Sequence, residues 1–203
     1  MHIPLSIATG FIVNGKEYLV PMATEQKSTI ALATKGAELT SVTGGFKASS
    51  MASTMIGQIQ LVGVKDLGRA EQRILANKEG ILRKANAQSR TRKAIDVEAR
   101  GIDTPRGPML VVELSVDVKD SMGANVVNSM CEAVAPLVAD LGEGKVNLRV
   151  VSNLATRRLA HVKAIVPECD LGGPEVVDRI VAAVDFAESD PWRAAPHNKG
   201  IMN

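Results

Sequence analysis

Aromatic side chains are scarce in this 203-residue sequence: one Trp, one Tyr and three Phe make up 2% of it. The shortage argues against a surface that stacks on single-stranded bases, and it leaves aliphatic side chains to build the core. An excess of one charge is also lacking, since 24 Lys and Arg face 22 Asp and Glu for a net charge of +2. That balance predicts neither nucleic acid nor an anionic membrane as a partner.

Cysteines, long apolar runs and metal-ligand patterns are scarce as well. The two cysteines, Cys131 and Cys169, do not suggest a disulfide framework, because Cys131 falls in a predicted helix. We find no signal peptide and no apolar run of the ~18 residues that a membrane span needs. The three histidines are scattered without metal-ligand spacing, so no metal is predicted. We therefore expect a cytoplasmic protein, and its 45% apolar content is enough for a real core.

The stretch Asp117–Met130 stands between an apolar strand pattern, Met109–Val118, and a long amphipathic helix pattern. Small and polar residues fill the junction: Asp120, Ser121, Gly123 and Asn125. The first N–H groups of a helix are free and its N-terminus carries a partial positive charge, so such a junction suits a phosphate or pyrophosphate. The alternative is an ordinary helix with Asp120 or Ser121 as its cap. These residues alone leave both interpretations open.

Hydrophobic periodicity divides the middle of the chain into strands and helices. The predicted elements are strand Gln58–Val64, a helix capped by Asp66 and running to Leu82, strand Ile95–Arg100, strand Met109–Val118, a helix after Gly123 that ends at Gly142 and Gly144, and a strand over residues 146–150. The order β-α-β-β-α-β is that of the ferredoxin-like fold, with helices on one face of an antiparallel sheet. No G-x-G-x-x-G follows any strand, which argues against a Rossmann fold.

The flanking segments predict further mixed structure. Asn14-Gly15 between two apolar runs indicates a hairpin with a type I′ turn. Helices are expected over Glu25–Leu39 and from Pro174, since proline suits the first turn of a helix. Ala160–Val166 is predicted to be a strand, and Ala48–Thr54 a small-residue linker at a domain crossing. The fold class is therefore α+β.

Two groups of polar residues are candidates for chemistry. The first lies in the terminal stretch and consists of Arg193, His197, Asn198, Lys199 and Asn203. Arginine grips carboxylates bidentately, and a partly desolvated lysine stabilises a developing oxyanion; the alternative is a polar tail. The second group is Arg149, Arg157 and Arg158, which is either a solvated face or a clamp for the phosphates of a nucleotide or coenzyme A.

Six stretches, in order along essentially the whole chain, resemble 3-hydroxy-3-methylglutaryl-coenzyme A reductase, and class II, the prokaryotic and often degradative form, most closely. They are Val20-Pro-Met-Ala-Thr-Glu, Gly57-Gln-Ile-Gln-Leu-Val-Gly-Val, Thr104-Pro-Arg-Gly-Pro-Met-Leu-Val, Asp120-Ser-Met-Gly-Ala-Asn, Val151-Ser-Asn-Leu-Ala-Thr-Arg-Arg-Leu-Ala and Asp190-Pro-Trp-Arg-Ala-Ala-Pro-His-Asn-Lys-Gly-Ile-Met-Asn. The resemblance implies a large dimerising domain that binds acyl-coenzyme A, here residues 1–44 and 154–203. It also implies a small, non-Rossmann NAD(P)-binding domain inserted into it, residues 45–153.

The resemblance further implies the chemistry and the residues that carry it. The family interconverts hydroxymethylglutaryl-coenzyme A and mevalonate plus coenzyme A through two hydride transfers. The implied dinucleotide contacts are Asp120, Met122, Gly123 and Asn125; the implied acyl contacts are Ser28, Asn153, Arg193 and Asn203; and Lys199 matches the catalytic lysine. Asp96 matches a residue that accepts from the adenosine ribose, which favours NADH, whereas the basic loop Arg90–Lys93 keeps NADPH possible.

The sequence departs from the family pattern at several places. Gln26 stands at the position of the catalytic glutamate, with Glu25 beside it, and an amide cannot donate a proton as an acid does. Pro196 replaces a threonine, and Ser89-Arg-Thr-Arg-Lys replaces a glycine-rich run. The family's catalytic aspartate and histidine would lie beyond Asn203, and a dimerisation stretch would precede the first residue. We therefore expect either a fragment of the enzyme or a shortened, catalytically silent relative.

Overall fold

The computed structural model describes residues 5–24 and 26–202, and these form two compact units. One unit contains the described residues up to Ser49 and from His161 onwards, and the other is Ser50–Ala160. The elements are β1 (Leu5–Val13), β2 (Lys16–Ala23), α1 (Lys27–Ser41), β3 (Lys47–Ser50), β4 (Thr54–Val62), α2 (Leu67–Ala76), α3 (Lys78–Asn86), β5 (Lys93–Ile102), β6 (Met109–Asp117), α4 (Ala124–Gly142), β7 (Lys145–Val151), β8 (Ala160–Lys163), α5 (Glu168–Leu171), α6 (Pro174–Ser189) and α7 (Pro191–Met202).

The Ser50–Ala160 unit is built on a four-stranded sheet in the order β5-β6-β4-β7, in which every neighbouring pair is antiparallel. Alternate side chains of the central strands point to one face and are buried against α2, α3 and α4. The core is aliphatic, as the lack of aromatics requires, and its largest fully buried members include Ile59, Leu61, Ile74, Ile81, Leu114 and Met130. The α+β class is confirmed.

The helical stretch after Asp66 differs from the prediction in one respect. The Asp66 carboxylate caps α2 as expected, accepting from the Arg69 amide at 2.9 Å. The helix does not run on to Leu82, however, but breaks at Asn77 into α2 and α3. The Asn77 side-chain amide donates to the Arg73 carbonyl at 2.9 Å, and such local side-chain bonds compete with the helical ladder.

The start of α4 differs from the capped-helix alternative. Its N-cap is Gly123, with φ at 94° and no side-chain cap hydrogen bond, so a cap by Asp120 or Ser121 is wrong. The Ser121 hydroxyl instead donates to the Val118 carbonyl at 2.6 Å. The other end agrees with the expectation, because α4 ends at Gly142 and the next residue, Glu143, adopts a left-handed conformation. The predicted apolar stripe of α4 forms its buried face.

The other unit contains the β1–β2 hairpin, α1, a two-stranded sheet of β3 and β8, and the three C-terminal helices. The hairpin turn is at Asn14-Gly15 as predicted, and both residues have positive φ. The segment predicted as a linker is partly strand, because Lys47–Ser50 pairs with β8. The described part of the terminal stretch is a helix, not an extended tail. Among the described residues, no helix is both long and apolar enough to cross a membrane.

Candidate functional site

An open cavity of about 270 Å³ lies where β6 passes into α4. The β6–α4 loop, Val118–Gly123, and the first turn of α4 line it with Ser121, Met122, Gly123 and Asn125. The loop that follows α3 contributes Ser89 and Arg92. Three of the four residues that the resemblance assigns to the dinucleotide therefore line one cavity, whereas Asp120 is exposed beside it.

The backbone at this junction requires glycine. Gly123 is buried and has φ at +94°, a region that other residues rarely adopt. A Cβ atom added to it would lie 2.6 Å from the Met55 sulfur and 2.8 Å from Val118 Cγ1. The loop is thus packed directly on the sheet at the N-terminus of a 19-residue helix, where free amides and a partial positive charge favour an anion.

Arg92, in the basic loop Arg90–Lys93, adds a positively charged side chain to the same cavity. Arg92 is half-buried, and its Nε donates to Ser121 Oγ at 3.4 Å. Its backbone amide donates to Ser89 Oγ at 3.1 Å, which ties the two lining residues of that loop together. A guanidinium beside a helix N-terminus adds full positive charge to the partial charge of the helix. The arrangement therefore suits a phosphate or pyrophosphate.

Asp96 lies on β5 and is not among the residues that line this cavity. It forms an ion pair with Lys78, at the start of α3, and accepts from the Val97 amide at 2.7 Å. The Lys78 hydrogen bond lowers the pKa of the Asp96 carboxyl below its ordinary value, against a smaller opposing effect of burial. The carboxylate stays charged and available as an acceptor near neutral pH. The pair is partly exposed, so its contribution to stability is small.

The three arginines singled out in the sequence all have partners within the Ser50–Ala160 unit. Arg157 grips Glu98 with contacts of 2.8 and 3.0 Å and donates to Ser115 Oγ at 2.7 Å. The Glu98 hydrogen bond raises the pKa of the Arg157 guanidinium. Arg149 pairs with Glu132 on α4. The third, Arg158, contacts the β6–α4 loop itself by donating to its backbone carbonyls.

The candidate acyl-binding and catalytic residues are distributed over the two units. Gln26 is the exposed N-cap residue of α1, where its carbonyl accepts from Thr24 Oγ1 at 2.6 Å, and Ser28 is exposed in the first turn. Arg193 is half-buried in α7, and Lys199 is exposed in its last turn. Asn153 is exposed in the loop after β7 of the Ser50–Ala160 unit. Glu25 and Asn203 lie outside the described residues.

Sequence reasoning did not assign Ser89 to the site, and it left Arg158 open as part of either a solvated face or a phosphate clamp. The basic run Arg90–Lys93 was visible and was noted only as a possible aid to NADPH binding. Its position beside the β6–α4 loop depends on how α3 and β5 pack, which local composition does not predict. The Arg158 contacts join residues 36 and 37 positions apart in sequence. Hydrophobic periodicity does not predict contacts between residues so far apart.

The chain is thus an α+β protein whose four-stranded antiparallel sheet is covered by three helices and is not of the Rossmann kind. The charge at its β6–α4 junction suits an anion. The model of the family "Hydroxymethylglutaryl-coenzyme A reductase" matches residues 1–203, and the chain belongs to that family.

Individual relatives agree with the family match. The chain is 47% identical over 207 aligned residues to 3-hydroxy-3-methylglutaryl-coenzyme A reductase of Archaeoglobus fulgidus, covering all of this chain and 48% of the relative. It is 27% identical to the probable reductase of Borreliella burgdorferi, again covering 48% of that protein. The chain therefore spans about half the length of the curated relatives it matches.

Solved structures of the Streptococcus pneumoniae reductase superpose on the whole chain with a TM-score of 0.93. One is 33% identical and is covered over 57% of its length. Another, described as the class II enzyme bound to NADPH in open conformations, is 34% identical and is covered over 51% of its length.

Proposed function

We propose that this chain carries the nucleotide site and part of the acyl-coenzyme A site of an NAD(P)H-dependent hydroxymethylglutaryl-coenzyme A reductase. The reaction is the interconversion of hydroxymethylglutaryl-coenzyme A with mevalonate and coenzyme A. The observation that carries the proposal is the whole-chain likeness to the pneumococcal reductase, whose description names NADPH. The cavity at the β6–α4 loop supports it, because its charge suits a pyrophosphate.

Within this proposal, the β6–α4 loop holds the dinucleotide through Met122 and Gly123, with Asp120 at its edge, and Asn125 contributes from the first turn of α4. Bound there, the dinucleotide would supply hydride to the acyl group. We propose NADH as the favoured form, because the Asp96 carboxylate is held ionised and would accept from a ribose hydroxyl while repelling a phosphate. Lys78 on Asp96 and Arg92 in the cavity moderate that repulsion, so NADPH is proposed to bind as well.

The acyl chemistry is proposed for residues of α1 and α7 together with Asn153. Arg193 would grip the acyl carboxylate with help from Ser28, Asn153 and Asn203. Lys199 would stabilise the oxygen of the thioester as negative charge builds on it.

Proton supply is where this chain differs from its family. Gln26, at the family's glutamate position, cannot donate a proton as a carboxylic acid does. Glu25 beside it is the carboxyl group in this stretch that could take the role.

The domain arrangement is part of the same proposal. We infer that residues 45–153 form a ferredoxin-like nucleotide domain inserted into a larger acyl-coenzyme A domain made of residues 1–44 and 154–203. The strand order β5-β6-β4-β7 with helices on one face supports the first part. Both cysteines are unpaired thiols, which supports a cytoplasmic location.

A homo-oligomer is proposed from the surface of α6, which leaves apolar side chains exposed in the single chain: Ile180 by 47%, Val181 by 54%, Val184 by 43% and Phe186 by 57%. Patches of this kind drive association. A second copy is the proposed partner, and Val181→Lys should shift sedimentation towards the monomer. Ser189→Lys, at an exposed position of the same helix, is the matched control, because it also adds one positive charge. A parent chain that sediments as a clean monomer would contradict the proposal.

Absorbance of the reduced nicotinamide, followed on addition of hydroxymethylglutaryl-coenzyme A, tests the activity. Oxidation that depends on both ligands supports the proposal. The competing function is a silent relative that only binds ligands, and Gln26 is the observation that favours it. Nucleotide binding without oxidation would support that alternative. Gln26→Glu should then restore turnover if this one position is responsible, while the exposed Gln72→Glu on α2 serves as the matched control.

A further inference from the structure

Arg158 bridges two consecutive carbonyls of the β6–α4 loop. It lies in the segment Ser152–Leu159, which follows β7, and its side chain is half-buried. Its Nη2 donates to the Ser121 carbonyl at 3.1 Å, and its Nη1 donates to the Met122 carbonyl at 3.2 Å. The same Nη1 lies 3.5 Å from the Met55 sulfur, which also packs beneath Gly123. One guanidinium thus fixes two peptide groups against the sheet.

Peptide geometry says what these contacts do to the loop. In a trans peptide the C=O and the following N–H point in opposite directions. Drawing the carbonyls of Ser121 and Met122 towards Arg158 therefore turns the amides of Met122 and Gly123 to the opposite side. Those two residues line the cavity, whereas Arg158 does not. The guanidinium is placed to act on the cavity through the loop and not by touching a ligand in it.

The remaining contacts of the loop do not replace this one. The Ser121 hydroxyl donates to the Val118 carbonyl at 2.6 Å and accepts from Arg92 Nε at 3.4 Å. Both bonds are made by the Ser121 side chain, and neither holds the carbonyl of Ser121 or of Met122. Lysine could not reproduce the bridge, because its ammonium lacks the planar fork that spans two acceptors.

We propose that Arg158 is a positioning residue for nucleotide binding: it orients the amides of Met122 and Gly123 towards the phosphates of the dinucleotide. The inference rests on the proposed nucleotide site and deepens it. It also gives the segment Ser152–Leu159 a second role, since Asn153 in the same segment is a candidate acyl contact.

The test compares the parent chain with Arg158→Ala, Arg158→Lys and a matched control, Arg73→Gln. Arg73 pairs with Glu143 at the opposite end of α4, so its loss removes an arginine contact without touching the loop. NADPH and NADH are titrated calorimetrically into each chain. Amide hydrogen exchange is measured without ligand, which reads the loop directly.

Arg158→Ala should weaken both dinucleotides roughly tenfold or more, as expected for loss of charge-assisted bonds that preorganise a site. Exchange should quicken at the amides of residues 121–126 and stay unchanged in the strands β4 and β6. Arg158→Lys should recover little of the lost affinity. Added guanidinium ion should partly restore dinucleotide binding to the Arg158→Ala variant. Arg73→Gln should bind both dinucleotides as tightly as the parent chain does.

The outcomes separate the two proposals. A parent chain that binds neither dinucleotide overturns the proposed nucleotide site, and with it this inference. A parent that binds, with an equally tight Arg158→Ala variant, overturns the inference alone. Faster exchange throughout β4 and β6 would make Arg158 a general support of the fold and would also overturn the positioning role.

Discussion

Gly123→Ala tests whether the β6–α4 loop is packed on the sheet as tightly as its geometry indicates. A residue other than glycine at φ +94° costs about 1–2 kcal/mol in backbone strain. The new Cβ would lie 2.6 Å from the Met55 sulfur and 2.8 Å from Val118 Cγ1. Met55 can move, but Val118 is fully buried and β-branched, so its χ1 is stiff.

Overpacking of a core costs about 1–3 kcal/mol, so the two effects together predict a loss of about 2–5 kcal/mol in the unfolding free energy of the Ser50–Ala160 unit. Gly107→Ala is the matched control. Gly107 also has a positive φ, +104°, but a Cβ there would meet no atom within 4 Å. It should therefore show the strain alone, about 1–2 kcal/mol.

Urea unfolding followed by far-ultraviolet circular dichroism gives the two free energies. Trp192, the only tryptophan, belongs to the other unit and is 88% exposed, so its fluorescence is a poor probe. The two units need not unfold together. Hydrogen exchange measured in β6 and α4 shows which urea transition belongs to the Ser50–Ala160 unit. Equal losses in the two variants would refute the tight packing of the loop.

Three further predictions follow from the site and the core. Lys199→Met should lower turnover by about two to three decades with little effect on substrate binding, whereas Arg193→Ala should mainly raise KM. Steady-state kinetics distinguishes the two effects, and unchanged kinetics in both variants would contradict the proposed roles of both residues. Asp96→Asn should raise affinity for NADPH relative to NADH, because it removes a negative charge from the ribose side; calorimetric titration of both cofactors checks this, and an unchanged ratio would contradict it. Burial raises the pKa of the Cys131 thiol to about 12. Above about pH 9 the unfolded state therefore binds fewer protons than the folded state. The unfolding free energy should then fall as the pH rises, by at most about 1.4 kcal/mol per pH unit. Urea unfolding across that range should show this fall in the parent and lack it in Cys131→Ala.

Local chemistry made part of the fold predictable. Asn14-Gly15 indicated its hairpin and Asp66 its helix cap, because each acts within a few residues. The stripe along α4 was readable because burial of one face repeats with the helical period. The break at Asn77 was missed, since a side chain that bonds its own backbone leaves the apolar spacing on both sides intact.

The candidate site was predictable in its residue types but not in its supports. The junction around Gly123 was recognisable because a glycine stands at the start of a helix pattern, where the first backbone amides are free. Of the two interpretations left open, the cap by Asp120 or Ser121 is wrong, since the Ser121 hydroxyl donates to the Val118 carbonyl and Gly123 takes the cap position. The contacts of Arg158 and Arg92 with this loop join segments that are distant in sequence, and tertiary packing brings them together.

Hydrogen exchange of the parent chain with and without NADPH tests the central claim most directly. The account predicts slower exchange at the backbone amides of residues 121–126 and at Ser89–Arg92 once NADPH is added. Gly123→Ala should lose that protection. No protection at these amides, or protection confined to the unit that contains α1 and α7, would contradict the assignment of the dinucleotide to the β6–α4 loop.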